Sequence, residues 1–162
     1  RPLPVPPAVT IECGRAGDPA ADDAAEAGLR RALTVERIPG DGDGLQLFAA
    51  PLRLELCPDA RVIFGTAADP AQDLVLLPDL DRHNFSTMPV GEPLGHLGPR
   101  GVWPLRAIDE RGVDVSRERF GAIDGRLVVR EALVPIMMTC DLRAAAADCL
   151  CYLVHPVGAG GL

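Results

Sequence analysis

The chain contains no lysine: all 16 of its basic residues are arginine. That absence excludes a Walker-type phosphate loop, a pyridoxal Schiff base, and a biotin or lipoyl attachment site, each of which needs a lysine amine. Positive charge is also in deficit, with a net charge of −7 and a pI near 4.9. A general nucleic-acid binder or a polybasic membrane binder is therefore not expected. No run of 18 apolar residues offers a membrane span, and no signal peptide is recognisable. Cysteines are few and odd in number, at positions 13, 57, 140, 149 and 151. They fit a reduced, cytoplasmic setting better than a disulfide framework. The opening Arg1-Pro-Leu-Pro-Val-Pro-Pro7 has no Met, which reads as a fragment or a trimmed chain. What remains is 162 residues, 48% hydrophobic, enough to bury roughly 70% of the unfolded surface around a core without a staple.

Two patterns divide the chain. Val9, Ile11 and Cys13 alternate with Thr10 and Glu12, which predicts a strand ending before the Gly14–Gly17 break. Asp18-Pro19 then supplies an N-cap and a first-turn proline. Ala21, Ala25, Leu29 and Leu33 form a helical stripe, with acidic residues early and Arg30 and Arg31 late, as the helix dipole favours. A strand, loop and helix make one unit of an α/β sheet, which cannot cover both its faces alone. After the Pro39–Gly44 run, short β segments recur: 45–50, 52–56, 61–64, 74–77, 94–97, 102–108 and 126–130. A short helix over 141–147 and a closing strand over 149–154 follow. Turn signals about every ten residues predict a compact antiparallel sandwich or barrel. The expected fold class is α+β: residues 1–38 as the end of an α/β domain, 39–44 as linker, and 45–162 as a β-rich domain.

Chemistry-bearing clusters are sparse. Asp41 and Asp43 lack the later oxygen ligands of an EF-hand, since Leu45 and Leu52 stand there. Cys149 and Cys151 fall on one strand face as small core residues, not at zinc spacing. The histidines at 83, 96 and 155 form no His-x-x-Glu or His-x-x-x-His pair, so no metal site is expected within this chain. Gly91, Gly95 and Gly98 read as turns, and Met88 and Trp103 as packing residues. Glu12 stands apart. It ends an apolar strand just before a glycine loop and a helix start, where open α/β sheets place their chemistry, and partial desolvation there raises a carboxylate toward a useful general base.

Pro7-Ala-Val-Thr-Ile-Glu-Cys-Gly14, with Asp18-Pro-Ala and Ala27-Gly-Leu-Arg-Arg31, closely resembles the last part of the catalytic domain in the succinylglutamate desuccinylase/aspartoacylase family. Asp81–Phe85, Pro89–Leu94, Pro135–Met138 and Asp148–Tyr152 are similar to that family's C-terminal β domain. The resemblance implies a zinc carboxypeptidase-like α/β remnant followed by a small β domain. It implies hydrolysis of the amide bond of N-acylated amino acids, with Glu12 as general base on zinc-bound water. The family's zinc ligands, an upstream His-x-x-Glu pair and a distant histidine, are not in this sequence, so zinc would be held by an upstream part. The resemblance also makes Arg1, eleven residues before Glu12, a candidate substrate contact. Arg143 stands where relatives place a substrate-binding tyrosine. The expected partners are a small N-acyl amino acid substrate and neither nucleic acid nor membrane, with homo-oligomerisation left open. The alternative expectation is a non-catalytic β-rich binding or oligomerisation module.

Overall fold

The structure, a computed structural model, describes residues 13, 19–34 and 48–156. The expected strand ending at Glu12, the 39–44 linker with Asp41 and Asp43, and the start of the 45–50 segment lie outside the described residues. The chain divides into two compact units, Arg1–Leu45 and Gln46–Leu162.

In the first unit, α1 spans Pro19–Thr34. Local signals account for it. Asp22 lies in the first turn and Arg31 in the last, Arg30 and Glu26 pair at 2.7 Å, and the Thr34 hydroxyl donates to the carbonyls of Arg30 and Arg31. Alanine supplies the remaining propensity. None of its residues is buried.

The second unit is built from β1 (Phe48–Leu56), β2 (Val62–Phe64), β3 (Leu74–Leu76), β4 (Pro93–Leu97) and β5 (Leu105–Ile108). The one-turn α2 (Ser116–Arg119), β6 (Phe120–Ile123), β7 (Arg126–Val129), β8 (Val134–Ile136), α3 (Leu142–Ala147) and β9 (Cys151–Pro156) follow. The strands form two sheets, ordered β5-β1-β9-β8 and β2-β3-β4-β7-β6. All pairings are antiparallel except β2 with β3. The protein is thus α+β with mainly antiparallel sheets.

Alternation sets the faces. In β5, Leu105 and Ala107 are buried and Arg106 is exposed; β3, buried throughout as Leu74-Val75-Leu76, is a central strand covered on both sides. Leu52, Leu54, Leu105, Cys151 and Leu153 of the first sheet join Leu74, Leu76, Leu94, Phe120 and Leu127 of the second in one buried cluster. Met88 is fully buried there, and Trp103 packs against it with its indole N–H donating to Ser116 Oγ at 2.9 Å. Cys149 and Cys151 are both buried, and burial pushes their thiols up.

The parallel pair begins at a reciprocal bond. Asp73 N–H donates to the Arg61 carbonyl and Arg61 N–H to Asp73 Oδ2, both at 2.8 Å, while Arg100 reaches the same oxygen at 3.1 Å. This arrangement pairs Oδ2 of a fully buried carboxylate, whose Oδ1 has no hydrogen-bond partner among the described residues, and aligns the two strand starts. Three sequence expectations need correction. Segments 45–50 and 52–56 give one strand from Phe48, kinked by a register shift between Ala49 and Leu52. Gly95 lies inside β4, not in a turn, because a Cβ there would run into the Val75 carbonyl and the Leu76 backbone. Strands β6 and β8 were not expected; β8 carries Pro135 and is tolerated as an edge strand.

Candidate functional site

A short 3-10 turn, Leu80–His83, is pinned at its start by the buried Leu80 and leads into Asn84 and Phe85. Asn84 grips a distant segment with both ends of its amide. Its Nδ2 donates to the Met138 carbonyl at 3.0 Å, and its Oδ1 accepts from the Met138 N–H at 2.7 Å. Phe85 N–H donates to the Pro135 carbonyl at 2.8 Å, and Met88 bridges Leu133. Cys140 lies against the backbone of Leu80 and Asp81, with its thiol pushed up chiefly by burial. The ladder between β8 and β9 adds Ile136 opposite Tyr152.

Charged groups collect on this support. Arg82 Nη1 pairs with Asp79 at 2.7 Å, and Arg82 Nη2 lies 3.6 Å from Glu92 Oε1. His83 Nε2 is 3.3 Å from the same Glu92 oxygen and 3.3 Å from Arg82 Nε. One ring nitrogen can serve only one of these partners at a time. As a lone pair it accepts from Arg82; as an N–H it donates to Glu92. The His83 and Glu92 side chains are only 14% and 22% exposed, so their contact is partly shielded from bulk water. Glu92 is presented by a turn closing from its N–H to the Pro89 carbonyl, with Gly91 at φ +87°.

Two non-glycine residues beside this cluster, Phe85 and Met137, have left-handed backbone at φ 62° and 56°. Bulky side chains rarely adopt it, and such strain collects at functional sites. Their side chains are 63% and 54% exposed. The arrangement sets a His83–Glu92 contact beside two exposed apolar side chains.

Of the sequence-predicted residues only Arg143 is described, and among the described residues no hydrogen bond or ion pair joins it to this cluster's side chains. Glu12 and Arg1 lie outside the described residues. Arg143 is exposed at the start of α3, where Asp141 caps its N–H at 2.7 Å; its guanidinium has no partner among the described residues. His83 and Glu92 were missed as a pair because a nine-residue separation carries no periodic signal. Among the described residues, no group of three or more His, Cys, Asp or Glu side chains is placed to hold a metal ion. Arg82 lies beside both His83 and Glu92 and already supplies a cation to that pair. No helix among the described residues is long and apolar enough to cross a membrane. No protein-family model, curated protein or solved structure matches the chain.

Proposed function

We propose that the chain is the C-terminal portion of a zinc-dependent, cytoplasmic hydrolase that cleaves the amide bond of N-acylated amino acids. One observation carries this reading. The four β-domain segments that carry the family resemblance, 81–85, 89–94, 135–138 and 148–152, fall in two stretches distant in sequence that meet on one support. Asn84 with Met138, His83 with Glu92, and Ile136 with Tyr152 join them.

In this reading Glu12 takes the proton from the attacking water, and Arg1 and Arg143 hold substrate. This reading assigns the zinc ligands to an upstream part, as the resemblance implies. The test is Glu12→Gln in the complete enzyme, assayed for turnover of N-acylated amino acids together with zinc content. A loss of roughly 10² to 10⁴ in rate with zinc retained is expected. Near-normal turnover removes Glu12 from the mechanism, and lost zinc makes it a ligand instead.

The exposure of Phe85 and Met137 favours a second reading, a binding or oligomerisation module. The coding sequence ahead of Arg1 separates the two. An α/β region carrying His-x-x-Glu supports the hydrolase, and a start codon at that point supports the module.

A further inference from the structure

The register shift in β1 between Ala49 and Leu52 opens the ladder with β9 near Ala49 and His155. Pro51 at this point has no N–H to close it. A cleft of about 240 Å³ lies there, walled by Pro51 and Leu52, the Asp109–Arg111 turn, Arg119 and His155.

The polar groups of this cleft are unequally occupied. Asp109 Oδ1 accepts the N–H groups of Arg111 and Val113, both at 2.9 Å, and Oδ2 accepts Arg111 Nε and Nη2 at 3.0 and 2.9 Å. Hydrogen bonds from Val113 and Arg111 hold this carboxyl below the usual carboxylate range. The Asp109–Arg111 pair is thus an internally neutralised wall. Arg119 differs. Its Nη1 pairs with Glu131, but its Nε is shut off from solvent with no hydrogen-bond partner among the described residues. An N–H in that state destabilises the fold unless an acceptor reaches it. Guanidinium binds carboxylate best side-on, through two parallel N–H groups. His155, on the same cleft, has no side-chain partner among the described residues.

We infer that this cleft is a binding site for a small monocarboxylate, held side-on by the Nε edge of Arg119 with His155 as a second donor. The volume admits a small organic acid. Charge sets the valence. Asp109 and Arg111 cancel on the cleft wall, and Arg119, once turned off Glu131, offers one positive charge beside the negative Glu110, which admits a monoanion more readily than a dianion. To expose its Nε edge the Arg119 guanidinium turns off Glu131, so ligand and Glu131 compete for one cation. The site is independent of the proposed amide hydrolysis.

The test follows the arginine Nε–H resonances of the whole chain by NMR, titrating propionate, propionamide and inorganic phosphate at constant ionic strength. A saturable shift of the Arg119 signal with propionate, much weaker with propionamide or phosphate, is expected. Glu131→Gln should tighten propionate binding several-fold, which a merely structural role for Arg119 would not produce. Arg119→Gln should abolish the saturable shifts that propionate causes at His155. No saturable shift in either the natural chain or Glu131→Gln overturns the proposal. So does equal response to propionamide, or His155 shifts that survive Arg119→Gln.

Discussion

The helix α1 and the two-sheet unit reach order by opposite routes. No described residue of α1 is buried, with Leu29 and Leu33 at 59% and 79% exposure, and its Glu26–Arg30 pair and Thr34 hydrogen bonds span no more than four residues. An isolated helix of 16 residues is marginal in water on such terms. The β unit gains little from local propensity. Its strands run three to nine residues and acquire stability only by meeting across one buried cluster of leucines, valines and Phe120. Local signals can thus write an element without stabilising it, and burial can stabilise elements whose local signals are faint.

The sharpest way to break this contrast is truncation on both sides. Leu153→Ala, at a fully buried position of β9, is expected to cost about 2–5 kcal/mol in urea unfolding. Leu33→Ala should stay within about 0.5 kcal/mol. Comparable costs would mean that α1 buries its stripe in solution. Hydrogen exchange on the same samples should find stronger protection in β1, β3 and β9 than in α1.

Asn84→Ala comes next. It leaves the Met138 N–H and carbonyl without their partners and is expected to cost about 1–3 kcal/mol. The clasp separates two roles. If Phe85 and Met137 are held in place by Asn84, their amide resonances should broaden in the variant while those of β3 stay sharp. Unchanged spectra at 85 and 137 would make the left-handed conformations local in origin.

The smallest expected effect is on acid stability. Burial pushes the Asp114 carboxyl up, but hydrogen bonds from Ser116 and Ala107 outweigh it and hold the pKa below the ordinary value. A carboxyl depressed on folding stabilises the native state above its unfolded pKa, and that contribution fades as pH falls through the folded value. The loss is therefore expected below about pH 4. The Ala107 and Ser116 amides should lose protection there, and Asp114→Asn should flatten that dependence. Full protection down to pH 2 in the natural chain would contradict it.

Much of the architecture is legible in the sequence where one signal suffices. Asp22 and Arg31 at opposite ends of an alanine-rich stretch mark α1, and alternation in Leu105-Arg-Ala-Ile108 marks β5. Asp124-Gly125, both at positive φ between β6 and β7, is a two-residue hairpin signal that could have revealed β6 ahead of β7. Pro135 hid β8, since proline argues against a strand until the strand is known to lie at an edge. The candidate site was far less legible. Asn84 and Met138 meet across 54 residues, and no periodicity encodes a contact of that span.

By itself the sequence determined what depends on composition and short range. The absence of lysine, the acidic balance, the helix over 19–34 and the change to short strands beyond the glycine run all follow from residue type and spacing. Only the tertiary structure decided which strands are neighbours, that β2 and β3 run parallel, that Gly95 must lack a Cβ, and that His83 and Glu92 come within 3.3 Å of each other. The physical reason is range. Capping, dipole and alternation act over a few residues and are printed in sequence order, whereas strand pairing and side-chain bridges are chosen by burial among segments that the chain order keeps apart.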